Sequence, residues 1–269
     1  MQVQVPDFEI QEFAPKRTKY CLCIPIINEG DKILRQLERI KRFNLNQLTD
    51  VILCDGGSTD GSTECGILKQ VGVNTLLVKK GPGKLSAQLR MGYYWALKRG
   101  YEGIVTIDGN DKDSVESIPL FVQALNEGYD MVQGSRYMEG GQAINTPWLR
   151  HVAVKMFHIP IISLAAGFRY TDTTNGFRGY SRRYLMHEDV QPFRNIFNTY
   201  ELLAYLSVKA PRLGLKTKEV PVTRKYPGKG GIPTKIGFLS GNCDLLRILF
   251  EIVLGRYNPK KIRGDLFDL

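Results

Sequence analysis

The sequence has few cysteines and no pair of them at a metal-binding or redox spacing. It contains five in 269 residues and no CxxC motif, and three of the five fall within apolar, strand-like runs. This usage predicts reduced core residues rather than disulfides or a zinc site. The five are Cys21, Cys23, Cys54, Cys65 and Cys243.

Features of nucleic-acid-binding proteins are also missing. The chain has no RNA-binding signature, no zinc-finger spacing and no basic helical arm, and we therefore expect no nucleic-acid partner. The excess of 37 Lys and Arg over 27 Asp and Glu gives a formal charge of +10. This charge could instead meet sugar nucleotides, lipid phosphates or an anionic membrane. Charge alone does not choose among these partners.

The sequence also shows no signal-peptide pattern and no uninterrupted apolar stretch long enough to span a membrane. Pro6, Asp7 and Glu9 break up the N-terminal stretch, which predicts a cytoplasmic location. The longest apolar region, residues 149–167, has too many interruptions for a spanning helix, and we interpret it as a buried helix pair or an interfacial segment. The interruptions are Arg150, His151, Lys155, His158 and Pro160.

The sequence does contain an alternation of strand and helix patterns. Strand-like runs cover 20–27, 51–54, 74–78, 103–107, 130–134 and 218–223. Helical patterns cover 32–43, 58–70 with Ser58 as N-cap, 85–99, 114–127, 200–210 and 243–255. With 43% hydrophobic residues available for a core, the alternation predicts an α/β fold with a mostly parallel sheet. The apolar face of the last helix is interpreted as core packing, with membrane docking as the alternative.

Two acidic loops follow predicted strands and mark a candidate site. Asp55 begins the turn 55–61, and Asp108 begins the cluster 108–113. If the two strands are parallel, both loops open at the same edge of the sheet, where α/β proteins bind ligands. Clustered carboxylate and amide oxygens suit Mg²⁺ or Mn²⁺, which bridge proteins to substrate phosphates. The alternative is that each segment is only a polar turn, since Asp, Gly and Asn are common turn residues.

Five short motifs occur together in the order found in a known family. They are Pro25 to Glu29, the turn 55–62, the Asp108 cluster, Gly134 to Tyr137 and Asn175 to Arg178. On these motifs, residues 20–235 resemble glycosyltransferase family 2, in its dolichyl-phosphate mannose synthase-like branch. The resemblance implies a Rossmann-like GT-A fold with a mostly parallel central sheet flanked by helices. We accordingly divide the chain into an N-terminal extension (1–19), a GT-A domain (20–240) and a C-terminal amphipathic helix with tail (241–269).

The resemblance also implies roles for individual side chains. The implied donor-binding set is Pro25, Asn28, Glu29, Asp55, Lys84 and Asp108. The implied metal set is Asp108, Asn110 and Asp111, in which Asn110 replaces an aspartate of many members and removes one negative charge. Arg136 and Arg178 are similar to arginines that bind donor or acceptor phosphate with a planar fork. As alternatives, Lys84 could be an exposed turn lysine, and the arginines could form structural ion pairs.

The reaction that the resemblance implies is inverting transfer of a sugar from a nucleotide-sugar donor, assisted by Mg²⁺ or Mn²⁺. The acceptor could be polyprenyl phosphate, a lipid-linked group or another glycan. A lipid acceptor implies peripheral contact with the inner face of a membrane, and the basic loop 225–235 is a candidate lid. A hydroxyl acceptor needs a base, for which Asp172 and Glu201 are the candidates, whereas a phosphate acceptor needs none. Each carboxylate could equally cap a helix or join an ion pair.

Two other function classes stay open at this point. One is a sugar-phosphate nucleotidyltransferase of related architecture, although residues 25–29 stand where such an enzyme has a glycine-rich basic signature. The other is a catalytically silent protein that only binds nucleotide sugars. Hydrolysis or transfer of a labelled nucleotide sugar would separate an enzyme from such a protein.

Overall fold

The fold is built on a large mixed sheet with helices on both faces. A computed structural model describes residues 3–228 and 240–259 of the chain. The strands are β1 (Phe8–Glu12), β2 (Tyr20–Ile26), β3 (Thr49–Asp55), β4 (Thr75–Lys79), β5 (Gly103–Thr106), β6 (Met131–Ser135), β7 (Gln142–Ile144), β8 (Arg178–Ser181), β9 (Thr217–Pro221) and β10 (Thr223–Lys225). Eight of them form the main sheet in the order β1-β4-β3-β2-β5-β8-β6-β9, and β7 pairs with β10 beside it.

The centre of the sheet is parallel, as the strand and helix alternation predicts. β2 pairs in parallel with both β3 and β5, and β3 with β4. β1 and β8 are the antiparallel additions, and neither was predicted from the sequence. The chain moves from β2 to β3 on one side and returns to β5 on the other, so the loops after β2, β3 and β5 surround one crevice.

Helices occur in all the segments predicted to be helical, whereas the helix Arg182–Leu185 was not predicted and two predicted elements have different bounds. The helices are α1 (Asp31–Arg42), α2 (Cys65–Gln70), α3 (Leu85–Lys98), α4 (Ile118–Asn126), α5 (Trp148–Ala153), α6 (Ile159–Ala166), α7 (Arg182–Leu185), α8 (Glu201–Arg212) and α9 (Ser240–Val253). The prediction that a helix begins after Ser58 is wrong, because the Ser58 hydroxyl binds Asp55 and α2 starts only at Cys65. The predicted strand 218–223 is divided into β9 and β10 at Val222.

Two apolar layers hold the sheet between the helices. On one face α3 and α8 pack through residues such as Leu89 and Leu206. On the other face α1 and α4 pack through Leu37 and Phe121. Cys21, Cys23 and Cys54 are buried free thiols, as predicted, whereas Cys65 is exposed, so its assignment to the core was wrong.

Both ends of the described chain join the main body. β1 lies within the predicted N-terminal extension and adds an edge strand to the sheet beside β4. Near the other end, Leu249 of α9 packs in a small core with Ile162 of α6 and Tyr170. Most of the predicted basic lid, from residue 229, and the tail from residue 260 lie outside the described residues.

A long helix with large apolar side chains on its outer surface packs against the body through its C-terminal part. It runs over Trp148–Ala166 as α5, a π-helical stretch (Val154–His158) and α6, and we call it the surface helix. By length and composition alone it could cross a membrane, yet most of it is not buried by the rest of the protein. Val154 and Ile162 face inward, and the exposed residues include several large apolar side chains beside Arg150 and Lys155.

Candidate active site

Hydrogen bonds join the loops that follow β2 and β3 into one wall of the crevice. The backbone N–H of Asn28 donates to Ser58 Oγ (2.9 Å), and Thr59 N–H donates to Asn28 Oδ1 (2.8 Å). Gly30 N–H donates to Asp60 Oδ2 at 2.7 Å. Asn28 adopts a positive φ of 47°, which asparagine tolerates better than most residues. Asn28, predicted to bind the donor, therefore also fixes the shape of this wall.

Asp55 is buried under the second loop and organises it. Its carboxylate accepts hydrogen bonds from Gly57 N–H at 3.1 Å and from Ser58 through both N–H (3.0 Å) and Oγ (2.6 Å). Both carboxylate oxygens are therefore occupied within the turn. These hydrogen bonds stabilise the turn, and direct contact of Asp55 with a nucleotide stays a prediction.

The other predicted donor residues border the same wall. Pro25 lies in β2, and Glu29 pairs with Lys32 at 3.5 Å. Lys84 is exposed at the start of α3, and its backbone N–H donates to the Asn198 carbonyl at 2.7 Å. Gln88, which sequence reasoning missed, donates from Nε2 to the carbonyls at the ends of β2 (2.6 Å) and β3 (3.0 Å).

The acidic loop after β5 turns its carboxylates in different directions. Asp108 is partly exposed in the crevice, with 28% of its side chain accessible. Asp111 instead faces α1, where its carboxylate contacts Arg35 at 3.3 Å and Arg39 at 3.0 Å. Two guanidinium groups thus neutralise Asp111, which leaves it less suited to a cation than its position in the sequence predicts.

Asp113 and Arg224 form a buried pair that sequence reasoning missed. Arg224 Nη1 donates to Asp113 Oδ2, and Arg224 Nη2 lies 3.0 Å from Asp108 Oδ2. Burial raises the pKa of Asp113 to about 6, although the charge of Arg224 opposes this shift. Arg224 lies on β10, and its role depends on β10 folding back over residues 112–114. No local pattern around Arg224 signals that contact.

The oxygens of this loop fit a hard divalent cation. Asn110 Oδ1 and Asp113 Oδ1 are buried and lack a hydrogen-bond partner among the described residues, and Asp108 adds a carboxylate in the same loop. Within residues 3–228 and 240–259, no group of three or more His, Cys, Asp or Glu side chains could hold a metal alone. Mg²⁺ and Mn²⁺ need no such cage when substrate phosphates and water complete the coordination.

The absence of a side chain at Gly176 leaves room for the Asp108 carboxylate. A Cβ at this position would lie 2.5 Å from Asp108 Oδ1, closer than side-chain carbons come to other atoms. The neighbouring Asn175 is buried and accepts the Phe177 N–H through Oδ1 at 2.9 Å. The motif Asn175 to Arg178 therefore borders the acidic loop, and its glycine is required by a close approach rather than by an unusual φ.

Arg136 and Asp172 pair with each other below the crevice. Arg136 donates from Nε (2.6 Å) and Nη2 (2.9 Å) to the two Asp172 oxygens, and from Nη2 to Thr174 Oγ1 at 2.7 Å. Burial opposes ionisation of Asp172, but the hydrogen bond and charge of Arg136 outweigh it and hold the pKa of Asp172 below its ordinary value. This geometry matches the ion-pair alternative, and a carboxylate of low pKa is a weak proton acceptor.

Arg178 and Glu201 are also bound within the protein. The Arg178 guanidinium donates to the carbonyls of Thr173 (3.0 Å), Asn175 (3.0 Å) and Leu203, and to Ser207 Oγ (2.8 Å). Arg178 thereby ties the loop before β8 to α8. Glu201 begins α8 and accepts hydrogen bonds from Thr199 N–H (2.7 Å) and Oγ1 (2.5 Å), so it resembles a helix cap. The arrangement leaves neither residue open to a phosphate or an acceptor hydroxyl.

Cations gather instead around two tyrosines between the acidic loop and the surface helix. The Tyr226 ring contacts Arg224 (5.6 Å), Lys112 (5.2 Å) and Arg150 (5.8 Å), measured from each cationic group to the ring centroid. Lys155 Nζ lies 4.9 Å from the Tyr137 centroid, and the His151 ring packs edge-on against Tyr137. We call this group the tyrosine cluster. It presents positive charge beside Asp108 and extends to the inner face of the surface helix.

The sequence matches a known protein family across well over half of its length. Residues 21–188 match the family model described as Glycosyl transferase family 2. The chain belongs to glycosyltransferase family 2. It is therefore a glycosyltransferase, and the nucleotidyltransferase and silent-binder alternatives are set aside.

Characterised members of glycosyltransferase family 2 are similar along most of this chain. Polyprenol monophosphomannose synthase of Mycolicibacterium smegmatis is 28% identical, over 74% of this chain and 75% of that protein. Undecaprenyl-phosphate mannosyltransferase of Micrococcus luteus is 29% identical, over 74% and 81%. Glucosyl-3-phosphoglycerate synthase from Mycobacterium tuberculosis, solved with Mn²⁺, UDP-glucose and phosphoglyceric acid, superposes with a TM-score of 0.63 at 17% identity, covering 88% of this chain and 79% of that one. This last similarity confirms the GT-A fold.

Proposed function

We propose that this family 2 glycosyltransferase transfers a sugar from a nucleoside diphosphate to a polyprenyl phosphate at a membrane surface. The observation that carries the proposal is the position of the tyrosine cluster, between Asp108 and a helix with an apolar outer face. An acceptor with an anionic head and an apolar tail fits both features at once. The names of the Mycolicibacterium and Micrococcus relatives, which specify polyprenol and undecaprenyl phosphate, support the same acceptor class.

The donor diphosphate is proposed to lie at the acidic loop. Asp108, with Asn110 and Asp113, would hold Mg²⁺ or Mn²⁺ there, and the oxygens Asn110 Oδ1 and Asp113 Oδ1 have no hydrogen-bond partner among the described residues. When bound, such a cation neutralises charge that develops on the leaving diphosphate. The wall formed by Asn28 and the Asp55 turn would hold the nucleoside, and Lys84 stays a predicted phosphate contact.

The acceptor phosphate is proposed to lie at the tyrosine cluster. Arg150 and Lys155 are exposed and have no ion-pair partner among residues 3–228 and 240–259, so their charge is available to an anion. Burial and the charge of Arg224 lower the pKa of Lys112, and an added anion would reverse that effect. These residues replace Arg136 and Arg178, whose donors are occupied by protein acceptors.

A phosphate acceptor also explains how the reaction proceeds without a carboxylate base. The acceptor oxygen is already an anion and attacks the anomeric carbon directly, which inverts its configuration in a single displacement. Asp172 and Glu201 then need no part in proton transfer. Their buried contacts with Arg136 and Thr199 are compatible with this mechanism.

The surface helix is proposed to dock on the membrane. Its exposed side chains are Trp148 (76% accessible), Leu149 (48%), Met156 (67%), Phe157 (58%) and Leu164 (81%). A helix with such a face lies in the interface plane, with its apolar side among the headgroups and upper acyl chains. Arg150 and Lys155 on the same helix would favour anionic lipids. On α9, Phe250 and Val253 are also exposed, so the docking alternative for the last helix belongs to the same proposal.

The activity is tested by transfer of a labelled sugar from a panel of UDP- and GDP-sugars. Purified protein is offered polyprenyl phosphate in mixed micelles or soluble sugar acceptors, with and without Mn²⁺. We expect a labelled product with polyprenyl phosphate only, dependent on the divalent cation. Transfer solely to a sugar hydroxyl would reject the proposed acceptor and return attention to a carboxylate base.

Docking is tested by flotation with vesicles that contain anionic lipid. The triple variant Met156→Ser, Phe157→Ser and Leu164→Ser should bind about a hundredfold more weakly, since each half-buried side chain contributes about 1 kcal/mol. The matched control replaces three exposed apolar residues outside the surface helix, Phe43, Met186 and Ile196, by serine. Equal vesicle binding by the two triple variants would contradict docking through this helix.

A further inference from the structure

Arg224 joins the two carboxylates that border the proposed cation position. Its Nη1 donates to Asp113 Oδ2, and its Nη2 lies 3.0 Å from Asp108 Oδ2. The Arg224 side chain is 8% accessible and that of Asp113 is 0% accessible, whereas 28% of Asp108 is accessible. One end of the bridge is therefore sealed in the protein, and the other end opens into the crevice.

The bridge occupies a carboxylate that a divalent cation would need. A guanidinium and a divalent cation repel each other, so placing both against Asp108 Oδ2 is electrostatically unfavourable. Asn110 Oδ1 and Asp113 Oδ1, in contrast, are buried and lack partners within the described residues. The loop thus holds two buried oxygens without hydrogen-bond partners and one carboxylate oxygen, on Asp108, that is paired with Arg224.

We propose that Arg224 is an exchangeable counter-ion that links metal binding to donor binding. Its Nη1 edge stays on the buried Asp113 as a pivot, and its Nη2 edge leaves Asp108 when a divalent cation arrives. The freed edge then binds the donor diphosphate, since guanidinium groups pair well with phosphate oxygens. This inference rests on the proposed donor site at the acidic loop. Arg224 would thus control access to Asp108 and, once displaced, contact the donor.

Exchange of Arg224 would make metal affinity depend on the nucleotide in a way that direct metal–phosphate coordination alone does not. Without a nucleotide, a cation must displace Arg224 from Asp108, and the displaced charge gains no new partner. With a nucleoside diphosphate, the displaced guanidinium gains one. Removing Arg224 should therefore strengthen metal binding to the nucleotide-free protein and weaken the linkage between the two ligands, because linked binding energies are reciprocal.

The experiment measures Mn²⁺ binding by electron paramagnetic resonance, in the absence and presence of UDP or GDP. The variants are Arg224→Gln and Arg224→Lys. The control is Arg183→Gln, which breaks an ion pair with Asp130, the residue before β6. We expect Arg224→Gln to bind Mn²⁺ without nucleotide roughly tenfold more tightly than wild type, a size typical of linked sites. The control should match wild type.

Arg224→Lys keeps the test valid if Arg224→Gln fails to fold, because a lysine can neutralise Asp113 but has no second edge for Asp108. It too should bind Mn²⁺ more tightly than wild type without nucleotide. The nucleotide could strengthen Mn²⁺ binding in wild type while every folded Arg224 variant, without nucleotide, binds Mn²⁺ with the same affinity as wild type without nucleotide. That result would refute the exchange and leave the proposed donor site standing. If no protein binds Mn²⁺ even with nucleotide, the metal-assisted donor site itself is refuted.

Discussion

Replacing Gly176 by alanine should damage catalysis while leaving the fold nearly intact. The added Cβ would lie 2.5 Å from Asp108 Oδ1, whereas ordinary contacts begin at 3.4 Å, so the carboxylate must move by the difference, about 0.9 Å. Asp108 can move because the clashing atom is the end of a side chain. Gly176 does not adopt a positive φ, so alanine adds no backbone strain there.

The expected size follows from that displacement. A misplacement of about 1 Å at a reacting centre costs roughly a hundredfold in rate, or about 2.7 kcal/mol of transition-state stabilisation. The free energy of unfolding should change by less than about 1 kcal/mol, since no core side chain is lost. Net charge and every potential ligand are preserved, so the variant isolates the position of Asp108 from its presence.

The assay compares kcat/KM for sugar transfer with thermal unfolding of the same preparations. Gly66→Ala is the matched control, because that glycine lies within α2 and its added Cβ would meet Glu64 Oε1 at an ordinary 3.6 Å. We expect the control to keep wild-type activity. Wild-type kcat/KM in folded Gly176→Ala would refute the assignment of Asp108 to the reaction.

The remaining predictions concern side chains with internal partners. Arg178→Met should lower the free energy of unfolding in urea by about 3 kcal/mol, because buried carbonyl groups lose their donor; a higher acceptor KM without loss of stability would restore its phosphate role. Arg136→Leu should cost about 3–5 kcal/mol by leaving Asp172 buried and unpaired, and adding Asp172→Leu should recover most of this loss. Burial lowers the pKa of His158 from 6.5 to about 4, so the unfolded state binds the proton first and stability should fall as pH falls from about 6.5 to about 4, by up to about 3 kcal/mol. His158→Gln should flatten this pH dependence in chemical denaturation, with His187→Gln as the control for loss of a histidine.

The regular part of the fold follows from sequence because its signals are local. β2, β3 and β5 are continuous apolar runs, as expected for strands that are buried on both faces. α1 carries an apolar stripe with Ile33 and Leu37 on its buried side. β8 escaped prediction because it is only four residues long and contains Arg178 and Gly179. Its place in the sheet depends on pairing with β5 and β6, which are distant in sequence.

The acidic loops were found for the same reason, whereas the roles of the basic residues were not. A carboxylate at the end of a buried parallel strand must lie where the carboxyl ends of the strands meet. Asp55 and Asp108 could therefore be located without a structure. Arg136 has no such constraint, and its direction depends on Asp172, 36 residues later. Arg224 meets Asp108 across 116 residues. The chemistry of an arginine is set by the acceptor nearest to it, which topology rather than local pattern decides.

Most of the surface helix is not buried, so the interpretation of residues 149–167 as a buried helix pair is wrong. The interruptions at Arg150, His151, Lys155 and His158 argue against a spanning helix and leave a buried helix pair or an interfacial segment as the interpretations of residues 149–167. In the fold, His151 and Lys155 contact Tyr137, and His158 is largely buried, so these polar groups face the site. Met156 and Leu164 take the outer side. Pro160 lacks an N–H and cannot continue regular hydrogen bonding to residue 156, which accounts for the π-helical stretch before it. The large apolar side chains that this helix exposes are stable in water only at a cost, and the proposed contact with lipid removes that cost.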